Sequence, residues 1–309
     1  MGKCSKDKRV RFGLDLTAIS IESRAKEQGF RARSAFKLIQ LDDTFELLNG
    51  VSRVVDLCAA PGGWSQVIAE RLRMSHTSDE EFAIVAVDLM EMAPIDGVIQ
   101  LKGDITHKKT ADEIIAHFHG RKAHVVVSDG APDVLGLHDL DEFLQAQLVL
   151  VGLNISLHVL EPGGTFVAKI FRGKEVSLLY AQLRRFFGNV TCAKPKASRN
   201  SSFESFVVCQ DFQLPDGFVP NMDEHLLDLQ YENEEEDDDV APKDMQFHSG
   251  VDSTRGVRDD VHFRGCGDVF GDDSDQSYPL SSEGYVHQEP LQKPINPPYA
   301  NALKKKKTE

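Results

Sequence analysis

Residues 56–67 read DLCAAPGGWSQV, a glycine pair set between an apolar run and the chain's only tryptophan. The run before it, VVDL (54–57), reads as a strand, and residues 64–73 have helical periodicity. Small residues at 59–63 let a ligand approach bare backbone, and the helix start that follows offers unpaired N–H groups. Such a strand, turn and helix is the form of a nucleoside-cofactor loop. It is not G-x-G-x-x-G, which argues against a dinucleotide and a dehydrogenase.

Working outward, further strands are expected at AIVAVD (83–88), HVVVSD (124–129), TFVAKIF (165–171) and SFVVCQ (205–210), with helices at 109–118, 138–160 and 174–187. That alternation is the sequence form of a doubly wound α/β fold, a mostly parallel sheet with helices on both faces. Ligands on such sheets bind beyond the carboxyl ends of the strands, where strand order reverses. Three acids end successive segments there. Asp88 is placed to accept both ribose hydroxyls of a nucleoside, Asp104 in LKGDIT is spaced to close over an adenine edge, and Asp129 is followed by a glycine that permits a tight turn. Taken singly, each is an ordinary turn residue. Their succession at strand ends points to a site. Lys169, inside the apolar run FVAKIF, must snorkel or face a polar cleft, which makes it a candidate general base.

Charge divides the chain. Residues 211–309 hold 23 acidic and 9 basic side chains, which accounts for the whole net charge of −14, whereas residues 1–40 hold 10 basic and 4 acidic ones. A basic arm on a neutral body is the footprint of a phosphate-backbone binder, or else a solvated N-terminus. The sequence organises as a basic segment (1–40) suited to contacting a phosphate backbone such as RNA, an α/β domain (41–215) that carries the candidate site, and an acidic, proline-containing tail (216–309) suited to docking a partner or to disorder. The run Lys304 to Lys307 reads as a solvated terminus or a nuclear signal. Five scattered cysteines without a C-x-x-C pair argue against disulfides and zinc, and no run approaches a membrane span. A soluble, cytoplasmic protein is expected, with no membrane association and no metal.

Together, RARSAFKL (31–38), DLCAAPGGWSQV, VAVDL, GDIT, SDGAPDVLGLHDLDE, GGTFVAKIFRG and SRNSSFESFVVCQ resemble the FtsJ-like 2′-O-ribose methyltransferases across nearly all of residues 24–210. The resemblance implies a Rossmann-like methyltransferase fold with S-adenosyl-L-methionine as cofactor. SKDKR near the start and SDQSYPL and PINPPY in the tail are most similar to the eukaryotic branch acting on the tRNA anticodon loop, at position 32, wobble position 34, or both.

The resemblance further implies a catalytic set of Lys37, Asp129, Lys169 and Glu204, and cofactor contacts at Gly62, Trp64, Asp88, Asp104 and Asp129. In this reading Lys169 is the base, Asp129 holds it, and Lys37 and Glu204 orient the hydroxyl. Trp64 would pack either on the cofactor or on the core face of its helix. The substrate tRNA would meet Lys6, Lys8, Arg31, Arg33, Arg199 and Asn200, contacts that position more than they read sequence. A helper protein is implied, a WD-repeat partner for position 34 or a helical-repeat partner for position 32. The alternatives are the ribosomal-RNA branch of the family and a catalytically silent RNA-binding regulator. One departure stands out: after Arg9 the chain runs VRFGLDLTAISIES where the family has an aspartate and paired tyrosines. Residues 10–23 are therefore either an insertion or a gene-model error.

Overall fold

The computed structural model describes residues 18–76, 81–132, 136–173, 176–222, 261–268 and 271–279. In chain order these form β1 (Ala18–Ile19), α1 (Ile21–Glu27), α2 (Ala35–Phe45), β2 (Arg53–Leu57), α3 (Gly63–Ser75), β3 (Ala83–Asp88), β4 (Val98–Lys102), α4 (Lys108–His117) and β5 (Ala123–Ser128). There follow α5 (His138–Val159), β6 (Leu160–Phe171), α6 (Val176–Arg184), β7 (Phe187–Pro195), β8 (Glu204–Phe212), β9 (His262–Cys266) and β10 (Tyr278–Pro279).

Eight strands make one sheet in the order β4-β3-β2-β5-β6-β8-β7-β9. From β4 to β6 every pairing is parallel, and β8 runs antiparallel to both β6 and β7. The chain builds outward from β2 to β4, then returns to place β5 on the other side of β2. Strand order therefore reverses between β2 and β5, and the crevice at their carboxyl ends is where DLCAAPGGW and SDGAPD meet.

Side chains of β2 alternate between two apolar layers. Val54 joins Leu38 and Leu41 of α2 and Ile68 and Leu72 of α3 on one face. Val55 and Leu57 join Ile114 of α4 and Leu153 of α5 on the other. Each such buried aliphatic side chain contributes roughly 1.5–3 kcal/mol, so the central strands form the most secure part of the fold. Helix α5 is long and apolar enough by length and composition to cross a membrane. Here its Val149, Leu153 and Leu157 pack into the sheet's core.

The helices expected at 64–73, 109–118 and 138–160 match α3, α4 and α5 within about two residues, as far as helix ends can be defined. Apart from β1, α1 and the tail strands β9 and β10, three elements escape the expectation. β4 (VIQLK) is a half-exposed edge strand with weak apolar patterning. β7 begins at Phe187, at the end of the stretch expected as helix 174–187. Helix α2 carries SAFKL and was not anticipated as a helix.

The tail also departs from expectation. Residues 261–279, where described, are built into the body: β9 pairs in parallel with β7 from Thr191↔His262 to Pro195↔Cys266, and β10 pairs with β1. β7 would otherwise present an open ladder edge, and β9 covers it. Tyr278 is buried beside Ile21, Ala25, Phe36 and Ala197. Ile21 thus belongs to the core, so the end of the unusual segment 10–23 is part of the fold. Residues 10–17 lie outside the described residues, as do Lys304 to Lys307.

Candidate active site

The glycine loop is shaped first by protein packing. Cys58 takes the left-handed conformation at φ 55°, and the Gly62 N–H donates to the Ala59 carbonyl at 2.7 Å. Gly62 sits at φ 106°, and a Cβ there would lie 2.7 Å from Ile95 Cδ1. A Cβ on Gly63 would stand 3.2 Å from the Ala32 Cβ. The pair lets the 30–34 segment and Ile95 close on the loop, and α3 then starts with no capping side chain on its first N–H groups.

Two expected contacts are corrected here. The Arg31 guanidinium is not free for RNA: it donates to the Pro61 carbonyl at 3.2 Å, Ala93 at 2.7 Å and Pro94 at 2.7 Å. Its role is to clamp the glycine loop to the segment between β3 and β4, and burial lowers its pKa. The Trp64 indole is 2% exposed, lies 5.6 Å from the Phe206 ring, and donates through Nε1 to the Ser34 carbonyl at 2.8 Å. Of the two readings of Trp64, the core face holds, because its polar handle finds a partner in α2's approach rather than in the cleft.

Around the loop the acids gather. Asp88 ends β3, its Oδ2 accepting from the Ala60 N–H at 2.9 Å and its Oδ1 from the Met90 N–H at 2.8 Å. Each oxygen keeps a lone pair for a further donor. Asp104 accepts from the Thr106 N–H at 2.9 Å and hydroxyl at 2.7 Å. Partial burial works to raise its pKa, but those bonds hold the carboxyl below its ordinary value. A fourth acid, Asp56, lies beneath them. It is fully buried, accepts from the Ser65 hydroxyl at 2.6 Å, and is pushed up to about 7 by burial, with Asp129 and Asp88 adding to the rise. It was legible only as the acid that opens the motif.

Gly130 has a different task from the turn expected of it. Its φ is not in the left-handed region, and a Cβ would stand 2.8 Å from Cys58 Sγ. The glycine brings the β2 and β5 ends together. Asp129, one residue earlier, directs Oδ1 into the site: that atom is buried, and its one charged neighbour among the described residues is the Lys169 ammonium at 3.2 Å. Asp129, Asp56 and Asp88 together place three carboxyl groups against the single ammonium of Lys169, an acidic surround that fits a cationic ligand. A positively charged nucleoside cofactor meets that requirement.

The sheet brings the four expected catalytic residues to one edge as two pairs. Lys169 Nζ donates to the Asp129 carbonyl at 2.6 Å and stands 3.2 Å from Asp129 Oδ1. Lys37 Nζ, on α2, lies 2.6 Å from Glu204 Oε1, which also accepts from the Ser198 hydroxyl at 2.7 Å. Burial alone would raise the Glu204 pKa, but Lys37, Ser198 and Lys169 hold it below the usual value. Register explains the closeness of the pairs: Lys169 faces Phe206 across β6 and β8, two residues from Glu204.

Behind them the buried Gln145 of α5 donates to the carbonyls of Gly130 at 3.1 Å and Lys169 at 2.8 Å. It ties the two strand ends that carry Asp129 and Lys169. Nothing in the local sequence marks it, since a glutamine on an otherwise apolar helix reads as a surface position.

On the open side, Arg199 and Asn200 are exposed. Their loop is braced by the tail: the Asn200 N–H donates to Asp275 Oδ2 at 2.9 Å and the Ser274 N–H to the Lys196 carbonyl at 3.1 Å. Arg33 is half-buried, with Glu22 at 3.8 Å. Lys6 and Lys8 lie outside the described residues.

A family model described as FtsJ-like methyltransferase matches residues 30–212. The chain is 52% identical to a Homo sapiens protein named tRNA (cytidine(32)/guanosine(34)-2′-O)-methyltransferase, over 99% of this chain and 86% of that one. It is 48% identical to a Schizosaccharomyces pombe protein of the same name, over 99% of this chain and 98% of the other. A crystal structure assigned as a ribosomal RNA methyltransferase from Plasmodium falciparum superposes with a TM-score of 0.53 at 26% identity, covering 59% of this chain and 98% of that one.

Proposed function

The chain belongs to the FtsJ-like methyltransferase family, and from that premise we propose that it methylates the ribose 2′-hydroxyl of tRNA anticodon-loop nucleotides 32 and 34 using S-adenosylmethionine. One observation carries the substrate assignment: similarity to the named tRNA enzymes runs through the tail, over 99% of the chain, and is not confined to the catalytic domain.

When bound, S-adenosylmethionine supplies an electrophilic methyl group on a sulfonium. Asp88 would hold its ribose hydroxyls, Asp104 its adenine edge, and Asp129 Oδ1 would face its positive charge. Transfer to a hydroxyl is an in-line displacement in which the oxygen loses its proton, so a positioned base is required. Lys169 fills that role. Its Nζ is oriented by the Asp129 carbonyl and carboxylate. Lys37 and Glu204, locked to one another, orient the ribose hydroxyl beside it. The RNA backbone would meet Arg199, Asn200 and Arg33, and Lys6 and Lys8 of the basic arm would add further phosphate contacts. A loop nucleotide suits such a site because its ribose can be presented without opening a duplex.

A helper protein completes the proposal, of WD-repeat type for position 34 and helical-repeat type for position 32, with the cytoplasm as the place of action. The test is a map of 2′-O-methylation across tRNA and ribosomal RNA in cells lacking the gene, restored with the wild type or with Lys169→Ala. Loss confined to the anticodon loop and rescued only by the wild type is expected. A missing ribosomal mark with intact tRNA would move the protein to the ribosomal branch.

A further inference from the structure

At its active-site end, β8 loses its partner on one side. The last paired residues of β7 and β8 are Ala193 and Phe206, after which β7 turns away into the 196–202 loop. The carbonyls that face the β7 side beyond that point, those of Glu204 and of Ser202 just before β8, have no ladder N–H to meet them. A buried carbonyl without a donor is costly. Lys194 supplies both: its Nζ donates to the Ser202 carbonyl at 2.7 Å and the Glu204 carbonyl at 2.6 Å. On the opposite side, the Phe203 carbonyl accepts from the Arg172 N–H at 2.9 Å. Three successive carbonyls are thus gripped alternately from left and right, and the residue fixed at the end of this grip is Glu204.

We propose that Lys194 is a positioning residue for methyl transfer, acting through Glu204 by holding its main chain so that its carboxylate meets Lys37 and Ser198. The inference rests on the methyl-transfer reading above. A half-buried ammonium is an expensive donor here. Burial lowers the Lys194 pKa, Glu204 opposes that fall, and Arg172 and Lys37 add to it. Three cations, Lys37, Lys169 and Lys194, act on one carboxylate. A strand end needing only closure could be finished with a neutral amide, so a lysine beside two other cations indicates that the position of Glu204 matters. Lys194 itself stays off the reacting atoms, because its Nζ points at main-chain oxygens.

A double-mutant cycle tests this, because coupled residues are non-additive. Lys194→Met keeps the length and apolar stem and removes the donors. Single-turnover transfer to tRNA from cells lacking the gene would be measured with the chain purified together with its native partners. Lys194→Met should slow transfer about tenfold or more, the scale of a charge-assisted hydrogen bond, while the dissociation constant for S-adenosylmethionine stays within about twofold. In a Glu204→Gln background the same change should cost less than about twofold, and Lys194→Arg should restore most of the rate. An equal loss in both backgrounds, or Lys194→Met at the wild-type rate, overturns the inference while the activity of the wild type leaves the methyl-transfer reading standing. Should Lys194→Met fail to fold, Lys194→Arg against Lys194→Gln carries the test: a rate kept only by arginine supports it, and equal rates overturn it. A wild-type chain that transfers no methyl group removes the reading and the inference together.

Discussion

The two halves of the sheet's carboxyl edge solve opposite electrostatic problems. At the ends of β2, β3 and β5, and just past β4, four acids gather, and Asp88 and Asp104 are held by backbone N–H groups. At the ends of β6, β8 and β7 the lysines gather, each engaged by a carboxylate or a carbonyl. The acidic half is built to hold a cation and the lysine half to manage a proton. Asp129 alone belongs to both. It follows that binding and chemistry are separable by mutation, which few compact sites allow.

The sharpest break in that comparison is Lys169→Ala. Loss of the base should lower transfer by roughly 10²–10⁴-fold, read by single-turnover kinetics, with S-adenosylmethionine binding nearly unchanged. Glu204→Gln weakens a buried charge pair without removing a reacting group, so a loss of about 10–100-fold is expected, again in rate and not in cofactor affinity. On the other half the sign of the effect moves. Asp88→Ala should weaken cofactor binding about tenfold or more by calorimetry, and saturating cofactor should recover much of the rate. Arg31→Ala should behave like Asp88→Ala, because the guanidinium clamps the cofactor loop. An unchanged cofactor affinity with weakened tRNA binding would instead return Arg31 to the RNA surface.

The smallest effect concerns Asp56. Its pKa is raised to about 7 in the fold against the ordinary aspartate value of 3.8, so between those values the folded chain keeps a proton the unfolded chain has released. Stability from this group is complete below about pH 4 and is lost as pH rises through about 7. Asp56→Asn should therefore raise the melting temperature by a few degrees at pH 8 and change it little at pH 4, measured by thermal unfolding.

Much of this edge was legible from residues alone, but unevenly. The glycine loop, Asp88 and Asp129 each end a strongly apolar strand, and buried strands of a parallel sheet write themselves as apolar runs, whereas Asp104 lies past the weakly patterned β4. Lys169 stood out because a lysine inside such a run needs a reason. Lys37 and Glu204 came through family resemblance, since neither sits in a pattern that local physics singles out. What escaped is long-range: Arg31 reaches residues 30 to 63 positions away, Gln145 closes two strand ends from another layer, and Lys194 substitutes for a ladder that stops. The strand β9 within the tail escaped for a related reason. HFRGC has little apolar content of its own, and it becomes a strand because β7 offers an edge. Trp64 looked available for stacking because sequence does not show which way a helix start faces.

The division between the halves is tested most directly by measuring two quantities on two variants side by side: calorimetric binding of S-adenosylmethionine, and single-turnover methylation of tRNA at saturating cofactor, for Asp88→Ala and Lys169→Ala. The account predicts a crossed result, with Asp88→Ala binding poorly yet transferring once loaded, and Lys169→Ala binding like the wild type yet failing to transfer. Both variants losing binding and transfer in proportion would contradict it.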